Sequence, residues 1–461
     1  MKKHLHIAFL WLFAFSFCLS GSLFAQQDDS TYYYFTKEEL PDAGIYLPAP
    51  PAVESLPFSD DFLQWIWGKS MRETPRGKMA SLDSQNGTEK MAEIYGEILG
   101  LTLNETNTPA IMKFMTRAGN TEHEAVVTCK EKYMRIRPFA LMNEHVAGEF
   151  DDEEGLRHNG SYPSGHTALG WGTALALAEM APEYQNEILR RGYQYGESRV
   201  IVGAHWQSDV EAARLATSAA FARLHTSPEY YDDLAAARAE FVCLKKIKAR
   251  TIGYPDGERI MDPPIDTASP RYYGDYIQYV LAKAERSTAR GQQALIDAGG
   301  SDVDFLNCFA PCLGITLSPA ETPQIAALMA YARQLFLREA SRMKSNSVFR
   351  KRPFVQLNEP SMIPEEEADN ILSSSYPSSS SCMGWGLALV LLEVAPEDQN
   401  LLLTRAYEYG RSRVIVGYHF ASDIQAGRIL AACTFVRMQT DPEYLKLLGK
   451  AQEEYRSITQ R

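Results

Sequence analysis

Three short stretches in the first half of the chain combine cations, imidazoles and a helix-opening turn. Lys130 and Arg137 stand seven residues apart, with Pro138 next; Pro163-Ser164-Gly165-His166 follows; then come Ser198-Arg199, His205 and Asp209. Seven residues span two helical turns, so the spacing predicts Lys130 and Arg137 on one face of a helix over 124–137 that Pro138 stops. Pro163 to His166 reads as a turn into a helix, whose first N–H groups, with Gly165 allowing close approach, make an anion site. Gly203 is expected to interrupt the helix carrying Arg199. A new helix near His205 then places Asp209 one turn on, where it can accept the imidazole Nδ1–H and leave Nε2 as a nucleophile. The set suits one task. Lys130, Arg137 and Arg199 neutralise the oxygens of a phosphate, the amides of Ser164 and Gly165 join them, and a second histidine protonates a departing alkoxide.

These stretches resemble the signature of the phosphatidic acid phosphatase type 2 superfamily. GSYPSGHT, residues 160–167, resembles the mark of its soluble bacterial branch, the class A non-specific acid phosphatases. The resemblance implies a metal-independent phosphomonoesterase without a cofactor, working in two steps. His205 attacks phosphorus to form a phosphohistidine, Asp209 orients it, and His166 protonates the leaving group and then activates water. Lys130, Arg137, Ser164, Gly165 and Arg199 bind the phosphoryl group. The same pocket could hold vanadate, so a vanadium haloperoxidase is one alternative. A soluble lipid phosphatase or pyrophosphatase is another, and a non-catalytic phosphate-binding protein a third.

The chain then repeats itself. LGLTLNETNTPAI from Leu99 matches LGITLSPAETPQI from Leu313, and RIRPF from Arg135 matches RKRPF from Arg350. QYGESRVIVGAHWQSD from Gln194 matches EYGRSRVIVGYHFASD from Glu408 with 11 of 16 residues identical. The offset is 214 at the first and third matches and 215 at the second. The second copy keeps Arg352, Ser378, Ser412, Arg413, His419 and Asp423, but has Ser380 for His166 and Ser379 for Gly165. Taken at the 215 offset, Ser345 stands for Lys130, and Lys344 would lie about 100° round the helix. The second copy therefore reads as degenerate and non-catalytic, packing on the first as the other subunit of an internal pseudo-dimer. Helical periodicity dominates and strand-like alternation is scarce, which predicts an all-α fold of two tandem helical bundles. The Gly- and Pro-rich stretch after residue 250 divides them into 26–250 and 251–461.

Residues 1–25 have the layout of a cleaved secretory signal peptide, with Lys2 and Lys3 ahead of a short apolar run and Ala25 at the end. Export to the periplasm follows. A net charge of −12 over 461 residues argues against a nucleic-acid polymer as partner. No later apolar run approaches the roughly 18 residues of a membrane span. The expected partner is a small phosphomonoester. Export permits disulfides, with Cys308 and Cys312 the best local candidates. His123, His145, His158 and His225 read as surface residues, His158 being a candidate substrate contact; Trp171 and Trp385, at equivalent positions, read as core.

Overall fold

The computed structural model describes residues 32–248, 251–346 and 349–460. The proposed signal peptide lies outside them. Among the described residues every regular element is a helix, which bears out the all-α expectation.

The two halves repeat element by element. Phe58–Met71, Pro75–Leu82, Thr88–Leu99 and Pro109–Glu124 return as Tyr272–Ala284, Ala289–Ile296, Asp302–Leu313 and the start of Pro323–Asn346. Gly165–Met180, Gln185–Ile201, Gln207–Leu224 and Pro228–Lys245 return as Ser379–Val394, Gln399–Val416, Ala421–Met438 and Pro442–Thr459. Each half is organised round the helix that follows its Tyr-Pro turn. Gly165–Met180 is buried at every position but His166, because it carries small and apolar residues all round. It packs against Pro109–Glu124, Gln185–Ile201 and Gln207–Leu224. Trp171 and Trp385 are sealed in these central helices, as expected.

The halves share their main core: one cluster of buried apolar side chains runs through both. Equivalent positions meet where they touch. Phe221 and Phe435, 214 residues apart, make an edge-on ring contact at 6.2 Å, and Gln425 Nε2 donates to Glu211 Oε2 at 3.0 Å. Trp385 Nε1 donates to Ser218 Oγ at 3.1 Å.

Three expectations change. The helix over 124–137 is two pieces, Pro109–Glu124 and Val127–Tyr133, and Met134 ends the second in the left-handed region (φ 39°). Arg137 then sits in extended backbone, as the residue before a proline prefers, and caps the short Pro138–Leu141 helix. Lys130 and Arg137 thus do not share a helix face. Cys308 and Cys312 are unbonded, one turn apart on Asp302–Leu313; Cβ atoms at that spacing stand about 5–6 Å apart, beyond the ~3.8 Å a disulfide needs. His225 is not at the surface: it is 4% exposed and its Nε2 lies 3.0 Å from Glu179 Oε2.

Candidate active site

His205 stands in the short link between Gln185–Ile201 and Gln207–Leu224. Gly203, at φ +80°, turns the chain there as its sequence position suggested, and a Cβ on it would meet the Arg72 guanidinium at 2.6 Å. The imidazole is 1% exposed. Its Nε2 faces Arg137 Nη1 at 2.9 Å. An arginine can only donate, so Nε2 presents a lone pair and the neutral ring carries its proton on Nδ1. Burial, then the charges of Arg137, Lys130 and Arg199, hold the ring well below the ordinary histidine range.

Asp209 was expected to receive the Nδ1 proton, and it does not. Nδ1 lies 3.4 Å from Asp209 Oδ2 without hydrogen-bond geometry, and it has no hydrogen-bond partner among the described residues. The carboxylate is already engaged. Oδ2 accepts the Trp206 N–H at 2.8 Å, which caps the Gln207–Leu224 helix, and Oδ1 accepts from Arg135 Nη1 at 2.6 Å. Arg135 also donates to Asp61 Oδ2 at 2.6 Å, and Asp61 holds the Ser208 amide and hydroxyl. This buried Asp–Arg–Asp chain fixes the start of the helix behind His205. Sequence reasoning passed over Arg135 and Asp61, although the RxRPF match contained the arginine. Removing one partner of such a buried pair costs about 3–5 kcal/mol, because the other is left charged and dry.

The remaining predicted residues gather round the same imidazole. Lys130 Nζ donates to the Gly160 carbonyl at 2.6 Å; burial first, then Arg137, lowers its ammonium to about 7. Arg137 Nε donates to the carbonyls of Leu156 and Asn159, and burial followed by the Arg199 charge lowers the guanidinium to about 10, still a cation. Arg199 is 0% exposed and its Nη2 donates to Asp151 Oδ1 at 2.6 Å. Its Nε and Nη1, and the second oxygen of Asp151, have no hydrogen-bond partner among the described residues. Asp151 lies just before the short Glu153–Arg157 helix, and its carboxylate rests on the arginine.

Ser164 caps Gly165–Met180, its Oγ accepting the Thr167 N–H at 3.2 Å. The Ser164 amide already donates to the Asp209 carbonyl at 3.0 Å. The N–H groups that open the helix with no carbonyl one turn back are therefore those of Gly165 and His166, and Ser164 contributes its capped turn. A Cβ at Gly165 would lie 2.9 Å from His123 Nε2, so a side chain there would displace that ring. His123, read as a surface residue, thus borders the site. His166 is half-buried, donates Nε2–H to the Ser84 carbonyl at 3.0 Å and stacks on Tyr195. Burial, then Arg199, holds it too well below the ordinary histidine range. His158 is exposed and paired with Glu154, and His145 is exposed beside Glu153, so neither reaches the pocket. Among the described residues no group of three or more His, Cys, Asp or Glu is placed to hold a metal ion.

The equivalent place in the second half is better preserved than its sequence suggests. Lys344 lies 214 residues after Lys130, and its surroundings are the same: burial first, then Arg352, lowers it to about 7, with Asp423 and Arg413 also close. Pairing Lys130 with Ser345 is therefore corrected. The extra residue lies between Lys344 and Arg350, where the second half continues the Pro323–Asn346 helix that the first half breaks.

The PAP2 superfamily model matches the chain twice, at residues 118–231 and 325–445. A non-specific acid phosphatase of Providencia stuartii is 44% identical over 218 residues, 46% of this chain and 86% of the relative. One of Salmonella typhimurium is 40% identical over 211 residues, 45% of this chain and 83% of the relative. An acid phosphatase of Zymomonas mobilis is 33% identical over 232 residues, covering 50% and 84%. With both matched regions carrying the arginine, imidazole and aspartate just described, the chain belongs to the PAP2 superfamily and holds its domain in tandem duplicate.

Proposed function

We propose that residues 26–250 form an acid phosphatase domain that hydrolyses small phosphate monoesters through a phosphohistidine on His205. One observation carries the reading: the bare Nε2 of His205 stands among Arg137, Lys130 and Arg199 with His166 beside them. A bound phosphoryl group takes Arg137, Arg199, Lys130 and the amides at Gly165 and His166 round its oxygens. Nε2 attacks phosphorus as the ester oxygen leaves with the bonding electrons. His166, charged once the anion offsets the neighbouring guanidinium ions, supplies that oxygen with a proton and afterwards takes one from the attacking water. Asp209 acts through the helix start and Arg135 rather than through a hydrogen bond to the ring. Cationic side chains stabilise the transferring group, so the reaction proceeds without added metal.

Residues 251–461 form a second domain that lacks the general acid and packs on the first as an internal pseudo-dimer. The chain is exported to the periplasm through residues 1–25, acts on small molecules rather than nucleic-acid polymers, and has no helix among the described residues long and apolar enough to cross a membrane.

Hydrolysis of p-nitrophenyl phosphate tests the reading. It should persist in chelator and be inhibited by vanadate; halide oxidation in added vanadate would instead favour the haloperoxidase. Both imidazoles are pushed down by burial and cations, so the nucleophile stays neutral well into acid solution. The rate should therefore be bell-shaped in pH with its maximum at about 5–6.5 or lower. A flat profile to about pH 9 would remove the two-histidine mechanism.

A further inference from the structure

The second half gathers three cations that have no ion-paired carboxylate of their own among the described residues. Lys344 and Arg352 lie close to His419, Arg413 lies close to both, and none of the three forms an ion pair with a carboxylate among the described residues. Arg352 and Arg413 are each 5% exposed, and the Nε of each has no hydrogen-bond partner among the described residues. The near carboxylate, Asp423, is taken by Arg350 Nη1 at 2.7 Å and by the Phe420 N–H at 2.8 Å, and Arg350 is shared with Asp275 at 2.6 Å. In the first half one arginine of the equivalent trio, Arg199, already has a carboxylate in Asp151. In the second half Arg413 has no such carboxylate, and its Nη1 donates to the carbonyls of Asp297 and Ala298 at 3.2 and 2.9 Å. The Ala298 carbonyl corresponds to that of Ser84, which accepts from His166 in the first half.

The imidazole is set as a phosphate-facing group. His419 Nδ1–H donates to the Ser375 carbonyl at 2.8 Å, and Arg352 Nη1 donates to Nε2 at 3.3 Å. Ser378 caps the 16-residue Ser379–Val394 helix, whose first amides belong to the half-buried Ser379 and Ser380. Two buried guanidinium ions repel each other and disfavour the charge on Lys344 beside them, and a helix start adds positive potential; a compact dianion relieves both. Ser380 cannot deliver or take a proton as His166 does, so an ester held there lacks the acid for its departing oxygen.

We propose that the second half is a phosphate receptor: its pocket binds the phosphoryl group of inorganic phosphate or a small phosphate ester and holds it without turnover. The proposal rests on reading the first-half cradle as a phosphate site. Equilibrium dialysis of the full chain against radiolabelled orthophosphate counts the sites. The wild-type chain should bind two phosphates, and Arg352→Ala and Arg137→Ala one each. No phosphate on the wild type, a count that depends on no variant folding, or a count that Arg352→Ala leaves unchanged, overturns the proposal; a single wild-type site kept by Arg137→Ala and lost in Arg352→Ala would sink the first-half reading alone. A chain that binds two phosphates but does not hydrolyse p-nitrophenyl phosphate would sink the enzymatic reading and leave the receptor standing.

Discussion

His205 and His419 are set in nearly the same frame, yet their surroundings differ in two charges. At His205 a second imidazole stands at the helix start, and a carboxylate, Asp151, rests on the deep arginine. At His419 the second imidazole is a serine, no carboxylate reaches Arg413, and that arginine turns to backbone carbonyls. The aspartate behind the ring is in both cases spent on an arginine and on the helix cap, at 3.4 Å and 3.8 Å from Nδ1. Burial lowers His419 to about 3 and drives His205 well below the ordinary range, so both rings are neutral nucleophiles in form. If both proposals hold, holding a phosphoryl group and turning it over are separable properties of the two halves. On that reading the cations and the neutral ring serve the first, and His166 at the helix start serves the second.

The comparison can be broken most sharply at the nucleophile. His205→Ala should reduce p-nitrophenyl phosphate turnover by about 10⁴-fold or more, and substantial residual rate would mean that His419 also turns over substrate. His166→Ser, which gives the first half the residue of the second, should cost about 10²- to 10⁴-fold. That loss should be greater for alkyl than for aryl phosphates, since a phenolate leaves without a proton; equal losses would take the acid role from His166. Asp151→Asn removes a negative charge from the place an anion must enter, and a unit charge at such range is worth up to a few kcal/mol. Inorganic phosphate should then inhibit competitively at about tenfold lower concentration, whereas weaker inhibition would show that Asp151 chiefly holds Arg199 in place.

The smallest effect concerns the buried cluster of Glu179, His225 and Tyr230, whose counterpart is Glu393, Gln439 and Tyr444. Burial opposes charge on His225, but Glu179 and then Glu393 outweigh it, and its pKa is raised above the ordinary 6.5. A raised histidine stabilises fully below about pH 6.5 and loses that contribution as the pH climbs through its folded value. His225→Gln copies the second half and has no such proton. Thermal unfolding across pH 5 to 8 should show the wild-type Tm falling relative to the variant at the alkaline end, by about 2–4 °C for each kcal/mol involved. Parallel curves would show that the imidazole carries no charge in the fold.

Helices and repeat were legible because each leaves a local mark. Prolines open elements, glycines close them, and an 11-of-16 match cannot hide. What stayed hidden depends on contacts between distant segments. Asp61 reaches Arg135 across 74 residues, and Ser84 reaches His166 across 82; neither spacing has a period to read. Lys344 was misassigned for a different reason, since a helix that continues in one copy and breaks in the other moves the register by one residue. His225 was misplaced because a lone polar residue near a helix end looks exposed until a buried glutamate claims it.

The contact between Gln425 and Glu211 has a consequence for how such molecules can diverge. In a dimer of identical subunits a position facing its own copy across a two-fold axis meets itself, so two glutamates would repel and two glutamines would have to share donor and acceptor duties. Joined in one polypeptide, the twin positions hold an amide and a carboxylate, which complement each other at 3.0 Å. The tether also makes their encounter independent of dilution. A fused pair can thus specialise its two faces one substitution at a time, something a symmetric assembly would have to accept on both sides at once.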